Sequence, residues 1–402
     1  MRSFIKIIYS FLSVICFMVL SLCAYSDSII PDQITDDMSD DVFMDDHITF
    51  SVYNRSKKAA PANSALSDSR VNVEARLFGC IPIKNVEIIR TDRRYAAVCG
   101  TLFGIKLYTK GAAVVECCII NSAGVSRNPG QEAGLTPGDT LLEIDGIKIT
   151  SCSQVERIVK LSDHEIFEIR YLHDNNEYTS TIHSVTIDGA RQLGLWIKDS
   201  AAGLGTLTFY DPQTQKFAAL GHGICDTDTG ALLTLEQAQV TNVEVAGITK
   251  GRSGAPGSIN GYFSDSPAFG SVLRNSECGV FGIMEKLSGN EIKLPIASPY
   301  EIYRGDAQIL CTLDGGAPEL YNIKITKIDH SSDTPTKNIQ LSVTDPRLTE
   351  ITGGIIQGMS GCPILQNGKL VGAVTHVLLT NSAKGYGIFA QKMYDEMEKA
   401  QN

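Results

Sequence analysis

Ser360 stands in G-G-I-I-Q-G-M-S-G-C-P-I-L, Gly353 to Leu365, a turn with Gly358 and Gly361 on either side and apolar runs beyond. Such a turn exposes a hydroxyl. It also lets the backbone N–H groups of Gly358 and Ser360 converge on one point, as a tetrahedral oxyanion requires, and each such donor is typically worth about 3 kcal/mol of barrier. The G-x-S-G string is equally at home in a plain hairpin turn, so the serine needs a partner to mean anything. A hydroxyl is barely nucleophilic near neutral pH without a base. Of the seven histidines, His47 lies in an acidic polar stretch, His164, His173 and His183 in a compact β unit or its exit, and His330 after a charged turn. His222 and His376 remain. His222 sits between glycines in A-L-G-H-G-I-C-D, on a segment remote from the serine, whereas His376 follows the serine by two strand-lengths. Because nucleophile and base come from separate elements in such sites, His222 is the expected base. An orienting carboxylate should complete the set, and Asp345, Asp226, Asp228 and Asp265 are the candidates. Spacing does not choose among them, since each also suits a turn or cap.

The elements that must position these groups are mostly strands. From about Leu193 onward, short β-rich runs alternate with glycine turns, and the clearly helical pattern is the tail from Gln391 to Lys399, which suggests barrels or a sandwich. With 402 residues, the chain exceeds the roughly 250 at which single cores stop growing and suits two or three domains. Its 36 glycines point to many tight turns.

Between Thr101 and about His183 lies a distinct unit: T-L-F-G-I-K-L, then A-A-V-V-E-C-C-I-I, then G-Q-E-A-G-L-T-P-G-D-T-L-L-E-I-D-G-I-K-I, then a helical stretch from Ser153 to Leu161. The block from Ala133 to Gly146 resembles the signature of a PDZ domain. That resemblance implies a loop whose amides, here Leu102, Phe103, Gly104 and Ile105, receive a terminal carboxylate while the peptide adds as a strand. Thr101 and Phe103 depart from the usual G-L-G-F.

Arg2 and Lys6 precede an unbroken apolar run, Ile7 to Tyr25. As a helix its 19 residues reach roughly 28 Å, close to the ~30 Å of a bilayer core. Positive charge before the run and acid after it place the remainder outside the cytoplasm. The net charge of −10 argues against a nucleic-acid partner. The 11 cysteines show no regular spacing and read as buried free thiols, with no metal site and no cofactor implied. The expected organisation is a membrane-targeting segment at 1–25, an acidic flexible linker at 26–70, a β-rich leading segment at 71–100, a PDZ unit at 101–185 and a catalytic domain at 186–402.

G-M-S-G-C-P followed by an Asn367-Gly368 turn and K-L-V-G-A-V-T-H resembles the nucleophile region of chymotrypsin-like peptidases. With A-L-G-H-G-I-C-D-T-D-T (Ala219 to Thr229), C-G-V-F-G (Cys278 to Gly282), the run from Thr344 to Val377 and G-Y-G-I (Gly385 to Ile388), the chain resembles the stage IV sporulation protein B family of PDZ-bearing serine peptidases. The resemblance implies a PDZ domain followed by a chymotrypsin-like double β-barrel, with catalytic residues at His222, Asp345 and Ser360. It also implies substrates: the chain itself and a regulatory membrane protein of the sigma-factor processing complex. These are cut in the space between forespore and mother cell, which frees an intramembrane metalloprotease to mature a late sigma factor. Gly223 and Cys362 stand where that family leads one to expect Val or Ala, and Ser or Thr. By analogy with chymotrypsin-like pockets, Gly354 lines the specificity site and supplies no acid, so no demand for Lys or Arg follows. Two other readings are a non-catalytic PDZ adaptor and an envelope stress protease; the second conflicts with domain order, because those enzymes carry PDZ modules after the peptidase.

Overall fold

The computed structural model describes residues 2–30, 32–36, 48–52, 70–90, 92–122, 124–174, 176–264, 266–285, 292–331 and 334–400. The apolar run forms α1 (Arg2–Ile29), whose stretch Ser10–Asp27 is long and apolar enough to cross a membrane. Phe11, Phe17 and Met18 on it are exposed.

A four-stranded sheet follows, made of β1 (Gln33–Asp36), β2 (Ile48–Val52), β3 (Arg70–Leu77) and β4 (Ile81–Arg90) in the order β1-β4-β3-β2. The alternation in V-N-V-E-A-R-L buries Val73, Ala75 and Leu77 on one face, as a half-buried sheet demands. Two stretches of the expected 26–70 linker are therefore strands, recruited as flanks of that apolar face. Its first residues, to Ile29, belong to α1, while 37–47 and 53–69 lie outside the described residues.

The next strand, β5 (Tyr95–Cys117), runs through two domains. Its first part, to Lys110, belongs to a barrel, and its second, from Ala112, to the PDZ-like unit. The passage occurs at Gly111, with φ of +94°, where a Cβ would stand 2.2 Å from the Leu141 carbonyl oxygen; only glycine fits both demands. The PDZ-like unit continues with β6 (Thr140–Ile144), α2 (Cys152–Leu161), β7 (Ile166–His173) and β8 (Asn176–His183). Its outer strand is the start of β9 (Leu195–Tyr210), which then re-enters the barrel alongside β5.

That first barrel is completed by β10 (Lys216–Ala219), β11 (Leu235–Thr241), β12 (Gly270–Ser276) and β13 (Gly279–Met284), in the order β5-β9-β10-β13-β12-β11, closed by pairing of β11 with β5. A second closed barrel comprises β14 (Gly305–Cys311), β15 (Glu319–Ile328) and β16 (Ile339–Val343), then, after α3 (Pro346–Thr352), β17 (Pro363–Gln366), β18 (Lys369–Leu378) and β19 (Asn381–Phe389). The terminal α4 (Ala390–Glu398) buries Met393 and Met397 against Phe209, Ala218 and Phe281.

The fold is thus mainly β, with two six-stranded barrels and a PDZ unit, as the sequence implied. The boundaries differ. The PDZ unit is spliced into the first barrel rather than preceding it, because residues 101–108 pair with β9 and residues 104–109 with β11 within that barrel.

Candidate active site

His222 reaches the site through a left-handed turn. After β10, Leu220 has φ of +67° and Gly221 +71°. A Cβ on Gly221 would stand 2.9 Å from Thr375 Cγ2 and 3.0 Å from Ile388 Cγ2, so glycine lets the first barrel approach the second there. Gly223 is explained likewise: a Cβ would lie 2.7 Å from the Ser276 carbonyl oxygen, leaving no room for the Val or Ala expected. Asn275 holds the following loop, accepting from Ile224 N at 2.8 Å and donating to the Ile224 and Leu233 carbonyls at 2.9 Å each.

The imidazole Nδ1 lies 2.8 Å from the Gly223 carbonyl oxygen. A carbonyl only accepts, so Nδ1 carries the proton and Nε2 keeps a lone pair. Burial pushes His222 below the ordinary histidine range, which the Gly223 hydrogen bond partly opposes. The ring is therefore neutral, and able to accept a proton, at neutral pH.

Ser360 is clamped from both barrels. Its carbonyl accepts from Thr206 N on β9 at 2.8 Å, Thr206 Oγ1 donates to the Gly358 carbonyl at 2.8 Å and Thr208 Oγ1 to that of Gly361 at 2.8 Å. From the other side Gly361 N donates to the Val374 carbonyl at 2.7 Å. Gly361 has φ of +94° and a Cβ there would meet the Thr206 carbonyl oxygen at 2.0 Å. These two threonines act only by fixing the serine turn, and nothing in the local sequence marks them. The amides of Gly358 and Ser360 have no acceptor among the described residues.

His222, Gly358 and Ser360 line one cavity of about 1050 Å³ between the barrels. The serine hydroxyl does not bond the imidazole; it donates to the Thr375 carbonyl at 3.0 Å, so a rotation about its Cα–Cβ bond must precede any transfer to Nε2. His376 lines the same cavity, its ring 5.1 Å from that of His222 between centroids. Burial first, then the charges of His222 and Lys337, lowers it to about 4.

Asp345 is not brought to the imidazole. It caps α3, and its carboxylate accepts from Arg347 N at 2.9 Å, Arg347 Nε at 3.2 Å, Arg347 Nη2 at 3.0 Å and Asn322 N at 3.1 Å. The Arg347 guanidinium is the main reason its carboxyl falls to about 2. The D-P-R sequence already carried this signal, an N-cap followed by proline at the first helical position. Asp226 also lines the cavity, but as a turn residue accepting from Asp228 N and Thr229 N at 3.1 and 2.9 Å. Asp228 pairs with Lys198, and Asp265 lies outside the described residues. Among the described residues no carboxylate hydrogen-bonds His222. Asp345→Asn is therefore expected to keep kcat within about threefold, whereas Asp345→Ala costs about 1–2 kcal/mol of stability through the lost cap. Melting curves beside kcat decide this; a thousandfold loss of kcat at unchanged melting would restore Asp345 to the triad. Because its carboxyl is depressed, Asp345 stabilises the fold above its unfolded pKa of about 3.9, and that contribution disappears as pH falls toward 2.

The loop expected to receive a peptide carboxylate is also elsewhere. Leu102, Phe103 and Ile105 are buried, Gly104 lies against Phe263, and β9 pairs with all four residues on one edge while β11 pairs with Gly104 and Ile105 on the other. The T-L-F-G-I string misleads because a barrel-core strand and a PDZ loop share the same apolar-glycine pattern. Gly354 does not line the cavity; Ile355, Ile356 and Gln357 do, while the Cβ position of Gly354 is filled by the Ser382 carbonyl at 2.2 Å.

A family model described as SpoIVB peptidase S55 matches residues 189–394, just over half of the chain. The chain belongs to the SpoIVB peptidase S55 family. It is a serine endopeptidase, and a PDZ-domain model matches residues 122–172 of this S55 peptidase. Among solved structures it is similar to the Rv3671c protease of M. tuberculosis in its active form, at 14% identity over 50% of this chain and 74% of that one, with a TM-score of 0.31. An inactive form of that protease gives 14% identity over 50% and 85% at a TM-score of 0.29. Both similarities are remote, and the fold assignment stands on the two barrels themselves. No curated protein matches the S55 peptidase chain.

Proposed function

We propose that Ser360 is the nucleophile of this peptidase and His222 its general base, with the Gly358 and Ser360 amides forming the oxyanion site. The observation that carries this is the meeting of His222 and Ser360, 138 positions apart in the chain, in the wall of one cavity. Nε2 takes the hydroxyl proton as the oxygen attacks a peptide carbonyl; the two unpaired amides stabilise the resulting oxyanion; the imidazolium returns the proton to the leaving amine, and water then releases the acyl group. The Gly223 carbonyl does what a carboxylate does elsewhere, fixing the tautomer, without adding a charge to stabilise the imidazolium. A fluorophosphonate probe tests the assignment: labelling is expected at Ser360 and lost in Ser360→Ala, and an unlabelled wild type would oppose it.

The depressed His222 gives a second check. The acid limb of kcat/KM, which reports the free enzyme's base, is expected to fall below the unperturbed histidine value of about 6.5, because the ring stays neutral further into acid. A limb above 6.5 would require a stabilised cation and a carboxylate partner.

For the biological role, we infer self-cleavage and cleavage of a regulatory membrane protein in the space between forespore and mother cell, leading to release of an intramembrane metalloprotease and maturation of a late sigma factor. Family membership and an N-terminal helix fit to anchor the chain support this reading. N-terminal sequencing of the products released by wild type and by Ser360→Ala tests it: a product that forms only with the wild type is self-cleavage, and identical products refute it.

A further inference from the structure

Two imidazoles face the cavity between the barrels, and the proposed chemistry uses one of them. His222 arrives on the turn after β10, and His376 on β18 opposite Tyr386. Their ring centroids stand 5.1 Å apart with the planes tilted by 39°, so the rings are not stacked face to face. His222 Nδ1 is held by the Gly223 carbonyl, which leaves Nε2 as the nitrogen with a lone pair. His376 Nδ1 is buried with no hydrogen-bond partner among the described residues. A buried nitrogen left unsatisfied is costly, and a ligand in the cavity would remove that cost.

The spacing is that of two ligands on one metal ion. Zinc binds imidazole nitrogen at about 2.0–2.1 Å in a tetrahedral arrangement, which puts the ion about 3.2 Å from each ring centroid and the two centroids about 5.2 Å apart. Imidazole suits zinc and its transition-metal neighbours, whereas magnesium and calcium seek oxygen. Among the described residues no third His, Cys, Asp or Glu completes a cluster. Asp226 lines the cavity too, but its carboxylate is committed to Asp228 N, Thr229 N and Lys198. Two protein ligands leave the other tetrahedral positions to water. Such an ion exchanges, unlike a structural zinc closed by four protein ligands. Lys337 opposes it: this residue lines the same cavity, its charge acts on His376, and its Nζ lies 5.6 Å from the centre of the Tyr386 ring.

We propose that His222 and His376 together bind one zinc ion across the catalytic cavity, and that this ion is a reversible inhibitor of the peptidase. The metal occupies Nε2 of His222, the atom that must take the Ser360 proton, so the loaded enzyme has no base. His376 is thereby a metal ligand with no part in the chemistry. Binding depends on the two rings alone; inhibition rests on the assignment of His222 as base.

The test separates those two parts, using the full chain in detergent. Calorimetric titration of Ser360→Ala with zinc chloride reads binding without catalysis, and adding His222→Gln or His376→Gln should each weaken it by at least about tenfold, as loss of a ligand requires. Magnesium and calcium should give no heat. In the active chain, zinc is expected to lower kcat/KM and EDTA to restore it. His376→Gln should need at least about tenfold more zinc for the same inhibition. Lys337→Met, which removes the opposing charge, should need less, and it keeps the question open to test if His376→Gln melts early. Equal zinc sensitivity in wild type, His376→Gln and Lys337→Met overturns the inference and leaves the peptidase intact. Zinc binding that both histidine substitutions abolish, in a chain that cuts no peptide, upholds the metal site and refutes the peptidase assignment.

Discussion

Ser360→Ala is expected to lower kcat by about 10⁶-fold, roughly 8 kcal/mol of barrier, with peptide cleavage and self-processing lost together. The fold should survive. The side-chain interaction removed is the hydroxyl's 3.0 Å hydrogen bond to the Thr375 carbonyl, worth about 1 kcal/mol, while the bonds that shape the turn use the backbone of residues 358 to 361 and remain. Activity and melting temperature therefore separate: one collapses and the other shifts by a few degrees. Undiminished self-processing in the alanine variant would remove Ser360 from the chemistry.

His222→Gln is the second large effect, again about 10⁶-fold, because nucleophile and base act as a unit and losing either forfeits their joint contribution. For the same reason the double variant with Ser360→Ala should be no worse than either single one. His376 makes this prediction discriminating. Its ring stands 5.1 Å from that of His222 in the same cavity, and its Nδ1 is buried with no hydrogen-bond partner among the described residues, so a misassigned base would have an obvious replacement. His376→Gln is expected to retain most of kcat; a dead His376→Gln beside an active His222→Gln would reverse the roles. The measurement is kcat on one peptide for all three variants.

The residues proposed to do the chemistry were legible where their signal is local. G-M-S-G marked an exposed hydroxyl because glycines on both sides allow the left-handed turn, and the structure uses both, with φ of +100° at Gly358 and +94° at Gly361. A-G-L-T-P-G-D marked the PDZ unit because its turns are built from neighbouring residues. Asp345 shows the opposite case: a carboxylate before proline is satisfied within two residues by a helix start and Arg347, and that local solution left nothing for the imidazole.

By itself the sequence determined the β-rich class, the anchor-length helix, the glycine turn that holds Ser360 and the narrowing of the candidate bases to two histidines, since these depend on periodicity, composition and short-range backbone geometry. Tertiary structure alone decided that β5 and β9 each serve two domains, that Leu102 to Ile105 are barrel core, and that Thr206 and Thr208 clamp the serine. Strand pairing joins residues scattered along the chain through backbone groups that every residue carries. The side-chain pattern says that a strand exists but not which strand completes its hydrogen bonds.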